Sequence, residues 1–261
     1  TVVVDRPAPG EPDVPLHCSI LLEDECFMAI DKPAGLPMHT TAKFWKNTLV
    51  ALLRERFPDQ ALQICHRLDR ETSGVLLVAR GGEAASFLKS AFAQRKVKKS
   101  YLALVHGVPV ESAGVIDRPM RLLDTKTHVM MGVVPDGLPA VTRYQVVRAF
   151  AEHALVEALP ETGRQHQIRV HLASLGHPIV GDKLYGASAS EQTFMDYCDA
   201  GLTPELLAAF DGLPRHALHA ARLSFPHPHT RDLITVNSPL PADLLDYMNG
   251  LQGHSVVGEG S

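Results

Sequence analysis

The chain has 261 residues, 45% hydrophobic and 21% charged, enough to bury a core in one large domain or two small ones. No stretch reaches the roughly 18 to 20 apolar residues of a membrane span, and the start TVVVDRPAPGEP lacks the basic and apolar regions of a signal peptide, so a cytosolic protein is expected. A net charge of −4 and a pI ≈ 6.4 exclude a body that is basic all over, so any nucleic-acid affinity must reside in local clusters.

In chain order, residues 1–15 hold charged residues and four prolines and predict an extended arm. LLEDECFMAI reads as a hairpin over 20–30 with Glu23 to Glu25 at its polar tip. A helix is predicted from Thr48 to about Arg56, capped by Asn47, with Leu49, Leu52 and Leu53 on one face. Thr72, Ser73 and Gly74 supply turn chemistry before a buried strand over 75–78. A second amphipathic helix spans 84–95, burying Ala84, Leu88, Ala91 and Phe92. Strands follow at 101–105, 143–149 and 154–159, the last two paired around 150–153, and 117–139, between the first and second strands, reads as a Pro, Gly and Met-rich loop. A helix begins near Gly163, capped by Thr162 with Gln165 as reciprocal partner, and ends at Gly176 and Pro178. Ile168, Leu172 and Leu175 form its core stripe, which sets Arg169 on the flank.

Four cysteines, Cys18, Cys26, Cys65 and Cys198, are scattered without a C-x-x-C pair, which fits reduced thiols. Among the 14 histidines, His166/His171, His216/His219 and His227/His229 lack the i, i+4 spacing of a helical zinc site, so no metal is expected.

The run HRLDRETSGVLLVAR, from His66 to Arg80, places Asp69 between Arg67 and Arg70 just before a turn. Read alone, Asp69 fits a turn cap bonded near Thr72 better than it fits a nucleophile kept ionised by flanking charge. Arg169 fits a surface arginine, and Tyr101 a core residue with its hydroxyl at the edge of a strand.

The same run resembles the central motif of the RluA-type pseudouridine synthases. Similar blocks follow in that family's order: IDKPAGLPMH, VKKSYLALVHG, ETGRQHQIRVHLASLGHPIVGDKLYG and HALHAARLSFPHP. The resemblance implies an α+β fold, a single catalytic domain on a mixed, largely antiparallel sheet with flanking helices and a central RNA-binding cleft. That domain is expected over 16–252, with 187–214 as an insertion that forms helices near the cleft and 253–261 as a tail. The RNA-binding S4-like domain that some relatives carry is not expected before the hairpin at Ile20.

The resemblance also implies roles. Asp69 becomes the catalytic aspartate that isomerises uridine to pseudouridine in structured rRNA or tRNA, and Arg169 its ion-pair partner. Tyr101 stacks on the target uracil and assists late proton removal, Arg67 fills the space of the extruded nucleotide, and His66 supports the turn. Arg67, Arg70, Arg164 and Arg169 are expected at one cleft, with Lys96, Lys98 and Lys99 at its basic mouth. Substrate and product are isomers, so no cofactor is chemically required, and a monomer is expected. Whether Asp69 attacks the sugar, attacks the base or abstracts a sugar proton stays open.

Two rivals remain. A glycosidase-like hydrolase needs a second acid roughly 5 to 10 Å from the first, and the HRLD and HQIR tetrapeptides themselves hold none beyond Asp69. A silent RNA-binding module would tolerate Asp69→Ala.

Overall fold

The structure, a computed structural model, describes residues 10–41 and 43–253. The first part of the expected arm and nearly all of the expected tail therefore lie outside the described residues. Within the arm, the Glu11 carboxylate accepts the backbone N–H groups of Trp45, Lys46 and Asn47 and so ties residues 10–15 to the start of the first helix.

The elements run β1 (Ser19–Glu23), β2 (Phe27–Lys32), α1 (Leu49–Arg56), β3 (Leu62–Ile64), β4 (Ser73–Arg80), α2 (Gly82–Ala93), β5 (Lys98–His106), β6 (Ala113–Asp117), β7 (Met120–Leu122), β8 (Met131–Val133), β9 (Val141–Ala149), β10 (His153–Pro160), α3 (Gln167–Ser174), α4 (Glu191–Ala200), α5 (Pro204–Ala209), β11 (Leu218–Pro226), β12 (Leu233–Asn237) and α6 (Ala242–Gly253). Among the described residues the main sheet has ten strands, in the order β1-β2-β4-β11-β5-β10-β9-β6, with β3 on β4 and β12 on β11. All of its pairings are antiparallel except β11 with β4. This is the mixed, largely antiparallel sheet with flanking helices that the resemblance implied.

Strand β4 is central and buried on both faces, which is why its sequence is a continuous apolar run rather than an alternation. Val75, Leu77 and Ala79 pack with Ala84, Ala85 and Leu88 of α2, whereas Leu76 and Val78 pack on the other face with Leu49 and Leu53 of α1. At the start of β4, Gly74 sits at φ +111 where a Cβ would lie 2.3 Å from the Ala220 carbonyl oxygen, so only glycine permits the close β4–β11 approach.

Several local expectations change. Thr48, not Asn47, caps α1, its hydroxyl accepting from Ala51 N–H, while the Asn47 amide donates to the Pro12 carbonyl. The loop expected over 117–139 contains the β7–β8 hairpin, whose three-residue strands are too short to show a clear alternation. Helix α3 starts at Gln167 rather than near Gly163. The Thr162 hydroxyl donates to Gln167 Oε1 and accepts from Val141 N–H, and Gln167 Nε2 reaches the Val141 carbonyl. The residues between Thr162 and Gln167 are thus pinned to β9 as a turn, which removes the expected Thr162–Gln165 capping box.

Candidate active site

A cleft of about 620 Å³ opens where the loop before β4, strand β5 and the turn before α3 converge. Its apolar wall includes Leu68, Phe92, Val97, Tyr101, Ile168 and Leu218, and its polar groups include Arg67, Asp69, Arg95, Lys99, Arg164, His166 and Arg169. A concave site that sets convergent polar groups among apolar walls is suited to hold and orient a small ligand, and this cleft is richer in charge than most such sites.

The loop that carries Asp69 is clamped from behind. Thr72 N–H donates to the Asp69 carbonyl, closing the turn. The Thr72 hydroxyl bonds to His216 Nε2 at 2.7 Å and the Ser73 hydroxyl to His219 Nδ1 at 2.9 Å. Arg215 Nη1 donates to Ser73 Oγ while its Nε and Nη2 hold Asp243. The HALHAARL block therefore fastens the Asp69 loop through the Thr-Ser pair. His66 supports the same loop from the other side: its Nε2 accepts from Leu77 N–H, and its ring stacks on Phe92 at 4.7 Å. Burial and the nearby Lys99 push the His66 imidazole down to about 3, so it is neutral at pH 7.

The Asp69 side chain does not cap its own turn. Arg169 Nη1 donates to Asp69 Oδ2 at 3.0 Å, and the Arg169 Nε and Nη2 groups grip the two oxygens of Asp182 at 2.6 and 2.8 Å. Burial opposes charge on Asp69, but the Arg169 guanidinium outweighs it and holds the carboxyl below its usual range. Asp182 in turn accepts Leu184 and Tyr185 N–H, so the arginine is locked into one orientation. Arg169 is buried rather than at the surface.

Tyr101 lies over the same cleft, and both burial and the Asp69 charge raise its hydroxyl above the ordinary phenol range. Lys99 projects from the same face of β5, two residues away. Its ammonium donates to the Thr162 carbonyl, and burial lowers it to about 8. Lys98 is exposed and alternates onto the opposite face, and Lys96 is exposed in the turn before β5, so neither lines the cleft. Arg70 also turns away. Its guanidinium lies between the Phe44 and Tyr197 rings at 5.6 and 5.5 Å and bonds to Glu71, so the cation beside Asp69 is Arg169 rather than Arg70. Arg67 is exposed at the cleft, and Arg164 lines it while donating through Nε to the Pro139 carbonyl.

Sequence reasoning gave no site role to His166, which lines the cleft, or to Asp182 and Tyr197, which stand behind it. His166 has Nδ1 2.8 Å from the Tyr185 hydroxyl and Nε2 3.9 Å from Asp69 Oδ2. Asp182 lies 13 residues beyond its partner Arg169, a spacing with no periodic signal. Segment 187–214 supplies α4 and α5, and Tyr197 of α4 donates to Glu71 Oε1, two residues past Asp69.

Among the described residues the clusters with metal-ligand chemistry, Asp24–Cys26–His227 and Glu25–Cys26–His229, join the tips of two hairpins rather than the cleft. His227 Nδ1 accepts from the His229 and Thr230 N–H groups, so Nε2 carries the proton and donates to Asp24 at 2.6 Å. Both ring nitrogens are thereby engaged in hydrogen bonds. The four cysteines are free. No described helix is long and apolar enough to cross a membrane.

A family model described as RNA pseudouridylate synthase matches residues 27–174, which include the Asp69 loop, β5 and α3. The chain is 39% identical over 244 residues to ribosomal large subunit pseudouridine synthase D of Nitrosomonas europaea, covering 91% of this chain and 67% of the relative. To the protein of the same name in Xanthomonas campestris it is 40% identical, covering 93% and 71%. The solved structure of human RNA pseudouridylate synthase domain containing 4 superposes with a TM-score of 0.69 at 32% identity, covering 90% of this chain and 93% of that one. The chain therefore belongs to the RNA pseudouridylate synthase family and is an isomerase that acts on RNA.

Proposed function

We propose that the enzyme converts uridine to pseudouridine in large-subunit ribosomal RNA, with Asp69 as the catalytic carboxylate. The observation that carries the reading is the Arg169–Asp69 pair at the floor of an open, partly apolar cleft. An ionised carboxylate aimed at a space lined by Tyr101, Ile168 and Leu218 can reach a sugar or base placed there. The names of the Nitrosomonas and Xanthomonas relatives support ribosomal RNA as the substrate.

Uridine in folded RNA is stacked, so the nucleotide must be extruded before the cleft can hold it, at a cost of a few kcal/mol that contacts to the RNA offset. Arg67, exposed at the mouth, is suited to fill the vacated stack because a planar guanidinium both stacks and pairs with phosphate. Asp69 then acts on the nucleotide, the C1′–N1 bond breaks, and the base turns and rejoins through C5. The C5 proton leaves and N1 gains one, so atoms and electrons balance without a co-reactant. Tyr101 packs against the base.

A glycosidase reading fits less well. It calls for a second carboxyl that stays protonated at neutral pH. Asp182, close by, is held far below the usual carboxylate range by Arg169 against the effect of burial, and Glu71, two residues past Asp69, is held at about 2 by Lys183 against the effect of burial.

The test is to incubate unmodified large-subunit ribosomal RNA, and separately unmodified tRNA, with the enzyme and to map new pseudouridines. Site-specific conversion in the ribosomal RNA is expected. Conversion confined to tRNA contradicts the substrate assignment, and none in either RNA contradicts the activity.

A further inference from the structure

His166 stands immediately before α3 with φ +54 and ψ 16, a left-handed conformation uncommon for a residue other than glycine. This backbone swings the imidazole out of the helical path and into the cleft. The Thr162–Gln167 bond, and the Arg164 N–H donated to the same Gln167 oxygen, hold the turn in that shape.

The partners of the ring decide which nitrogen carries its proton. The Tyr185 hydroxyl accepts the Met131 N–H at 2.9 Å and lies 2.8 Å from His166 Nδ1. With the phenol donating to Nδ1, both groups are satisfied. Were Nδ1 protonated instead, the phenol would accept twice, and its own proton would have no acceptor among the described residues. Burial and Arg169 push the imidazole down to about 4, so at pH 7 it is neutral, with its one hydrogen on Nε2. The charged groups around it are Asp69 and Arg67 on the loop before β4, Arg169 on α3 and Asp182 beyond it. The Nε2–H points into the cleft 3.9 Å from Asp69 Oδ2, too far for a hydrogen bond, and makes none among the described residues.

We infer that His166 donates its Nε2–H to a carbonyl oxygen of the extruded uracil, a contact that strengthens as the C1′–N1 bond breaks and its electron pair passes to the base. The charge of the departing base spreads over N1 and the two carbonyl oxygens, and a fixed N–H aimed at one of them stabilises it where it develops. His166 is not the base that removes the C5 proton: Nδ1 is occupied by the phenol, and Nε2 already carries a hydrogen. The β7–β8 hairpin joins the site through this relay, because Met131 orients Tyr185 and Tyr185 sets the tautomer.

The inference rests on the Asp69 reading, so the experiment carries a control for that reading. Single-turnover rates and affinities are measured on unmodified large-subunit ribosomal RNA for wild type, Asp69→Asn, His166→Asn and His166→Gln. Asparagine tolerates the left-handed backbone but is too short to reach the base. The rate of His166→Asn is expected to fall by about 10²–10³, the cost of losing one such donor, with affinity close to that of wild type. His166→Gln, which returns an N–H at similar reach, should recover a substantial part of the rate. The ¹⁵N imidazole spectrum of the wild-type protein at pH 7 should show His166 neutral and protonated at Nε2, a readout that does not depend on how any variant folds. A His166→Asn rate equal to that of wild type beside an inactive Asp69→Asn overturns the inference, as does a ring that is cationic or protonated at Nδ1. An active Asp69→Asn overturns the underlying reading instead.

Discussion

Arg169 holds two carboxylates at once, gripping Asp182 through Nε and Nη2 and offering Nη1 to Asp69 at 3.0 Å. The first grip orients the guanidinium and the second orients the carboxylate that faces the cleft. Asp182 thus acts on Asp69 through the arginine.

Asp182→Asn keeps the shape of the side chain and removes its charge. Arg169 keeps Asp69 as a counter-ion but loses the charge of its buried two-point partner, so a loss of up to about 3 kcal/mol in unfolding free energy, the lower end for a buried pair broken from one side, is expected. Turnover should fall in the protein that remains folded. Unfolding by urea and single-turnover kinetics measure the two effects. A variant as stable and as fast as wild type contradicts the positioning role.

Acid should destabilise the protein before its carboxylates titrate. Burial, with Arg169 beyond it, lowers His216 to about 3, so between that value and the ordinary 6.5 the unfolded chain binds a proton that the folded chain refuses. This contribution is fully present above pH 6.5 and declines on acidification, by up to about 1.4 kcal/mol per pH unit. Glu71 adds to it lower down. Burial opposes its charge, but Lys183 prevails and holds it at about 2, so its contribution is present above 4.5 and lost as pH falls through 2. Urea midpoints at pH 7.5, 5.5 and 4 should decrease in that order, and an unchanged midpoint from 7.5 to 5.5 contradicts the neutral, buried state of His216.

Tyr101→Phe separates packing from proton transfer. The raised hydroxyl is un-ionised at pH 7, so it can serve only as a donor or through a base that takes its proton. RNA affinity should hold in Tyr101→Phe while turnover falls by about 10²–10⁴, the usual range for a positioned acid–base group. Full activity in Tyr101→Phe would leave packing alone as its role, and an active Tyr101→Ala would remove both.

The alternation of β5 separates the lysines that sequence position groups together. Lys99, Arg67 and Arg95 line the cleft, whereas Lys98 faces the other way. Replacing Arg67 or Arg95 with alanine should reduce the slope of log affinity against log salt by about 0.7–0.9 for each phosphate no longer neutralised. Lys98→Ala should leave it unchanged. A salt titration with the reverse pattern would place the RNA path on the Lys98 face.

Much of this was legible in the sequence, for physical reasons that differ by element. The double-sided burial of β4 shows as an unbroken apolar run, and the β9–β10 pair as two β-rich stretches around a short turn. The family blocks brought Asp69 and Arg169 together although 100 residues separate them. The start of α3 was misread because Thr162 and Gln165 match a capping pattern, while the hydroxyl is engaged by Gln167 and Val141 across the fold. Nothing local marks Asp182 or Tyr185 as partners of Arg169 and His166, since those pairings form only when the chain turns back after α3. The opposite facing of Lys98 and Lys99 follows from strand periodicity alone.

Asp69→Asn tests the central claim most directly, because amide for carboxylate changes charge and nucleophilicity but hardly changes shape. With the mapped ribosomal RNA as substrate, pseudouridine formation should be abolished while RNA affinity and the urea midpoint stay near those of wild type. Turnover within tenfold of wild type would contradict the assignment of Asp69 as the essential carboxylate.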